Sequence, residues 1–226
     1  MVRNPIARAE GDLRAEAEAV YGRWAPVYDL LFDLPFHAGR LAAAPAAEAA
    51  TPPQGELLVV GVGTGLELGL LPARTRVTGI DLSAPMLDVA RKRVQRRGLG
   101  HVKALIKMDA AAMSFEAERF DTALAPYVLS VAPDPKRTLD EMWRVLKPGG
   151  EMIVMNHFSA ERGLRAVVEA KLERSAAWLG WHPVFPLSVV GDWALGQTDV
   201  ERIDRREIGL LRLFTLLSLR KRPLRL

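Results

Sequence analysis

Leu57-Leu58-Val59-Val60-Gly61-Val62-Gly63-Thr64-Gly65-Leu66-Glu67, followed by Val77-Thr78-Gly79-Ile80-Asp81, decides the fold. An apolar run of strand length ends in three alternate glycines. A second apolar run ends in an acid. Glycine is required where a backbone turns sharply or lets a ligand come close. A carboxylate that closes the next strand can accept both hydroxyls of a ribose. Asp81 lies 20 positions after Gly61, the spacing of a nucleoside-binding β-α-β unit. A dinucleotide turn needs its third glycine one place later, where Leu66 stands, so a pyrophosphate-bearing nicotinamide cofactor is disfavoured.

Strand and helix patterns alternate outward from this unit, as in a doubly wound, mostly parallel sheet. Strands are expected at Leu57–Val60, Arg76–Ile80, Val102–Lys107, Thr122–Ala125 and Glu151–Asn156. Ala84–Arg97 reads as a helix with Ser83 as its N-cap, and Pro135–Leu146 as another, stopped by Lys147-Pro148-Gly149-Gly150. Glu201–Arg222 holds two strand-like runs suited to an antiparallel pair. The Ala/Pro-rich Leu41–Pro53 reads as a helix running into a linker.

Composition narrows the class. The 226 residues, 49% of them hydrophobic, suit one α/β domain. Without cysteine there is no disulfide framework and no thiolate metal site. The histidines at 37, 101, 157 and 182 lack metal-ligand spacing, so no metal is expected. No run approaches the roughly 20 apolar residues of a membrane span. Charges at residues 3–18 interrupt any signal-peptide core, and a cytoplasmic location is expected. The net charge of +4 is uneven: residues 201–226 carry +5 and the remainder −1. A basic end suits an anionic partner such as membrane headgroups, or it merely solvates an edge hairpin.

Four segments in order carry a resemblance: the glycine turn with Asp81, Lys107-Met108-Asp109-Ala110, Phe120-Asp121-Thr122-Ala123-Leu124-Ala125-Pro126, and Val145-Leu146-Lys147-Pro148-Gly149-Gly150. Together they resemble the class I S-adenosylmethionine-dependent methyltransferases, with a seven-stranded, Rossmann-like sheet. The resemblance implies S-adenosylmethionine as donor and S-adenosylhomocysteine as product. It also implies Tyr28, Gly61, Gly63, Gly65, Asp81, Leu82, Asp109 and Ala110 as donor-binding residues.

Two regions lie outside this core. Residues 1–50 form an expected N-terminal helical arm or lid, ahead of a domain at 51–226. Tyr21, Trp24, Tyr28, Phe32 and Phe36 recur there at helical spacing, while Pro26 and Pro35 are expected to split the helix. These rings either pack on the core or cover the donor and touch lipid. A helical insertion is expected at about 157–196. Within it Leu164, Val167, Val168, Leu172, Ala176 and Leu179 form an apolar face, flanked by Arg162, Arg165, Lys171 and Arg174 and ended by Trp178 and Trp181. That composition suits a membrane interface or an ordinary surface helix.

Tyr21-Gly22-Arg23-Trp24-Ala25-Pro26-Val27-Tyr28-Asp29, Asn156-His157-Phe158 and Leu213-Phe214-Thr215-Leu216-Leu217 are similar to segments of bacterial phospholipid N-methyltransferases. The similarity implies stepwise methylation of phosphatidylethanolamine towards phosphatidylcholine, with peripheral binding to anionic membrane at the inner face of the cell membrane. Tyr21, Tyr127 and His157 are the candidates for moving the amine proton. Trp24, Asn156, Arg162 and Arg165 are the candidates for holding substrate. Quinone-biosynthesis C-methyltransferases share much of the pattern and stay open, as does a non-catalytic protein that binds the donor or a membrane. Ala125-Pro126-Tyr127-Val128 lacks the amide or acid of the Asn/Asp-Pro-Pro-aromatic motif, so nucleic acid is not the expected partner.

Overall fold

A computed structural model of the chain describes residues 28–159, 185–209 and 212–224. Its elements are α1 (Tyr28–Ala50), β1 (Glu56–Val60), β2 (Arg76–Asp81), α2 (Ala84–Arg97), β3 (Val102–Lys107) and β4 (Phe120–Pro126). They continue with α3 (Pro135–Val145), β5 (Leu146–Asn156), α4 (Ser188–Leu195), β6 (Val200–Ile208) and β7 (Phe214–Lys221). The seven strands form one sheet in the order β3-β2-β1-β4-β5-β7-β6. Neighbours from β3 to β5 pair in parallel, and β7 runs antiparallel to both β5 and β6.

The central strands are buried on both faces, which is why they read as continuous apolar runs. In β1, Leu58 and Val60 join a core with Met142, Trp143 and Trp193, whereas Leu57 and Val59 join one with the alanines of α1 and Leu87 of α2. The sheet is therefore sandwiched between two layers.

Local chemistry sets most element ends. The Ser83 side chain accepts from the Met86 N–H at the start of α2, and Gly98 closes that helix at φ 61°, in the left-handed region. Asp134 caps α3 in the same way by accepting from the Arg137 N–H. Lys147-Pro148-Gly149-Gly150 ends α3 as expected, yet it is already part of an eleven-residue β5.

Two expectations fail. Pro35 does not split the N-terminal helix: α1 runs 23 residues through both Pro35 and Pro45. Each proline removes a backbone hydrogen bond and crowds the preceding turn. Burial opposes that cost, because Ala43, Ala44, Ala46 and Ala47 are packed in the core, their small side chains allowing a close helix–sheet approach. Thr51 fixes the end of α1: its hydroxyl donates to the Ala47 carbonyl at 2.7 Å and accepts from the Thr122 hydroxyl of β4 at 2.9 Å. The second exception is the crossover from β1 to β2. Residues 61–75 form successive turns and no α-helix. Glycines at 61, 63, 65 and 69 and Pro72 supply the bends and disfavour helix propagation. α4 is an element that the residue pattern had not marked separately.

Candidate active site

Sheet order reverses between β1 and β4, and a crevice opens at the carboxyl ends of those strands. One cavity there is walled by the Gly61–Gly63 turn after β1, Asp81 and Leu82 after β2, and Asp109 and Ala110 after β3. Tyr127 and Val128 after β4, His157 after β5, and Phe36 and Arg40 of α1 complete the wall.

Gly61, Gly63 and Gly65 have φ of 70°, 51° and 74°. A β-carbon on Gly61 would lie 2.5 Å from a Val128 methyl, and one on Gly65 2.7 Å from Leu68. Beside Gly63 the space is open. The first and third glycines thus permit close packing of protein on protein, while the second leaves room at the cavity wall.

Asp81 holds this turn in shape. Its Oδ2 accepts from the Gly63 N–H and its Oδ1 from the Ser83 N–H, both at 2.8 Å. Burial raises its pKa above the ordinary value, against the pull of backbone donors at Ser83, Gly63 and Leu82. Each carboxylate oxygen has two acceptor positions, so Asp81 retains capacity for a pair of vicinal hydroxyls. Asp109 Oδ1 accepts from the Ala111 N–H at 2.8 Å, fixing the loop after β3 that forms the adjacent wall. These residues fit an adenosine with its ribose at Asp81.

Tyr127 follows β4 with a φ of 62°, a conformation unfavourable for a bulky residue. Its ring packs at 4.6 Å from Phe36 and 5.3 Å from Phe214, and its hydroxyl donates to the Phe36 carbonyl at 2.9 Å. The phenol therefore ties α1 to the end of β4.

His157 Nδ1 lies 2.8 Å from the Leu213 carbonyl oxygen. A carbonyl only accepts, so in the neutral ring Nδ1 carries the hydrogen and Nε2 carries the lone pair. His157 is buried at the cavity wall with a proton-accepting nitrogen fixed in orientation.

A methyltransferase-domain profile matches residues 58–154. Over 205 residues the chain is 39% identical to the phosphatidylethanolamine N-methyltransferase of Cereibacter sphaeroides, covering 89% of this chain and 96% of that one. The chain belongs to the S-adenosylmethionine-dependent methyltransferases. This methyltransferase is also 31% identical over 159 residues to a 2-phytyl-1,4-naphtoquinone methyltransferase of Nostoc punctiforme, covering 67% of this chain and 69% of that one. A solved structure described as a possible histamine N-methyltransferase of Thermotoga maritima superposes with a TM-score of 0.65 at 21% identity, covering 90% of this chain and 99% of that one. At that identity it shows the fold alone.

The methyltransferase brings Gly61, Gly63, Asp81, Leu82, Asp109, Ala110, Tyr127 and His157 to one cavity. Gly65 supports the turn from behind, where a β-carbon would also press on Ala90 of α2 at 3.2 Å. Asn156 is buried and does not line the cavity; its amide donates to the His157 carbonyl at 3.0 Å and its carbonyl oxygen accepts from Ser130 at 3.5 Å. It positions the loop that carries His157. Tyr21, Trp24, Arg162 and Arg165 lie outside the described residues, and Tyr28 opens α1. Phe36, one of the rings expected to pack on the core or cover the donor, lines the cavity, and so do Arg40 and Glu67, which the residue pattern did not mark. Glu67 closes the segment that decided the fold, but a buried glutamate looks like a surface one in sequence. Among the described residues no three His, Asp or Glu are grouped as metal ligands, and no helix is long and apolar enough to cross a membrane.

Proposed function

We propose that this methyltransferase N-methylates the ethanolamine headgroup of phosphatidylethanolamine and its mono- and dimethyl forms, towards phosphatidylcholine, while bound peripherally to an anionic membrane at the inner face of the cell membrane. The observation that carries the proposal is the near full-length 39% identity to an enzyme of that name. That match extends beyond residues 58–154, into the segments that contact an acceptor in this reading. A second reading, C-methylation of a quinone, is supported by the similarity to quinone methyltransferases over part of the chain.

When bound, the donor supplies an electrophilic sulfonium methyl group. Asp81, Gly63 and Asp109 hold its nucleoside, so the chain's chief contribution is alignment. An ethanolamine amine is mostly protonated at neutral pH and must lose that proton before it can attack. His157 Nε2 accepts it, because the Leu213 contact keeps the lone pair on that atom. Tyr127 is better suited to a positional role, since its hydroxyl is committed to the Phe36 carbonyl. The rings of Phe36 and Tyr127 line the cavity, where a π face turned to a methylated ammonium is worth about 0.5–2 kcal/mol. Trp24, Arg162 and Arg165 remain the proposed contacts to lipid, the arginines through paired hydrogen bonds to phosphate.

The test is incubation with radiolabelled donor and vesicles containing phosphatidylethanolamine, followed by thin-layer chromatography. Label is expected in mono-, di- and trimethylated lipid. Label in an added demethylquinone and none in lipid would reject the headgroup in favour of the quinone.

A further inference from the structure

Three acids line the cavity, and two are already answered by backbone donors. Asp81 takes the Gly63 and Ser83 N–H groups, and Asp109 takes that of Ala111. Glu67 is different. It follows the glycine turn directly, is only 7% exposed, and lines the same cavity. Its Oε1 is buried with no hydrogen-bond partner among the described residues. A buried acceptor left so is costly, and an ionised one more so.

The ligand proposed for this cavity carries two cations. The sulfonium must face the acceptor, in the crevice where Tyr127 and His157 stand. The α-ammonium of the amino-acid arm is the remaining positive group. With ribose at Asp81, Glu67 is the remaining lining acid carried by the segment of the glycine turn, and Arg40 lines the same cavity close enough to act on its charge. We infer that Glu67 is the counter-ion of the donor's α-ammonium, with Arg40 beside it to receive the α-carboxylate. The inference rests on the methyl-donor reading of the site.

Charge at Glu67 follows from its neighbours. Burial pushes its carboxyl up to about 7; its own backbone N–H, then Arg40 of α1 and Arg93 of α2, act to lower it, and Asp81 of β2 raises it further. The empty site is therefore partly protonated near neutral pH. A bound ammonium favours the ionised form, so donor binding expels protons there.

Calorimetry with S-adenosylhomocysteine and with 5′-methylthioadenosine, which lacks the amino-acid arm, tests this. In buffers of different ionisation heat, wild type should release protons with the first ligand and not with the second. Glu67→Gln should weaken S-adenosylhomocysteine at least tenfold, leave methylthioadenosine within twofold, and abolish the proton release. Unchanged affinity for S-adenosylhomocysteine, or equal losses for both ligands, would overturn the assignment while leaving the methyltransferase reading intact. Binding of neither ligand to wild type would overturn both. Should the variant not fold, the wild-type proton counts decide: equal release with the two ligands rejects the role.

Discussion

Two carboxylates, Asp81 and Glu67, stand close together at the cavity, and their surroundings differ. Asp81 is held by the Gly63 and Ser83 N–H groups, and in the proposed site it also meets the ribose. Asp81→Ala strands those donors, at about 1–3 kcal/mol each where water cannot replace the carboxylate. Donor affinity should fall at least tenfold and the melting temperature by several degrees; calorimetry and thermal denaturation check both. Glu67 keeps a backbone contact at its own N–H but leaves Oε1 without a partner among the described residues, and its burial has a cost in stability. Its folded-state pKa of about 7 exceeds the unfolded value of 4.5, so the folded protein binds the proton more tightly. Stability relative to the low-pH state is therefore lost as pH rises from 4.5 to 7, by about 3 kcal/mol in order of magnitude. Glu67→Gln should raise the melting temperature at pH 8 and change it little at pH 5. An equal gain at both pH values would refute the linkage. His157→Ala should slow methyl transfer by about 10²–10⁴-fold while S-adenosylhomocysteine still binds as in wild type, and undiminished turnover would remove it from the proton path.

At the level of elements, α1 is seated by one notch. A β-carbon on Gly39 would overlap the Tyr127 hydroxyl and press on Met155 sulfur at 3.2 Å. Gly39→Ala should therefore displace α1 or swing Tyr127, costing about 1–3 kcal/mol. Denaturant unfolding would show it as a lower midpoint, with Tyr127→Phe, which removes the hydroxyl that donates to Phe36, costing about 1 kcal/mol. Helix α2 was legible to the residue because Ser83, Pro85 and Gly98 mark both its ends locally. Strand β3 was legible in the same way, as an apolar run between turns. Helix α1 was not, because proline tolerance at positions 35 and 45 depends on what the alanine face meets across the sheet. The glycine turn and Asp81 were visible as a pattern, yet the bond that joins them is a contact in space. Glu67 and Arg40 escaped notice for a similar reason: burial, not residue type, makes them significant.

Across the whole molecule, charge and acceptor are linked in the proposed function. The terminal 26 residues hold a net +5 against −1 elsewhere. If that end meets anionic lipid, turnover on vesicles rich in phosphatidylglycerol should fall severalfold between about 50 and 500 mM salt, over which the screening length shrinks from roughly 14 to 4 Å. Turnover on uncharged mixed micelles should stay nearly constant, and equal salt sensitivity on both would exclude an electrostatic dock. The same end of the chain also settles where the sheet stops. Strand β6 is the outermost of the seven and is exposed along residues 201–207. Arg202 pairs with Asp204, Arg205 and Arg212 with Glu207, and Glu201 with Arg220 of β7, so the rim is crowded with alternating ions. A neighbouring molecule that tried to extend the ladder there would have to strip water from charges on both faces. The long open rim thereby becomes a barrier to fibrillar self-association, and the protein can be concentrated at a surface without polymerising through it.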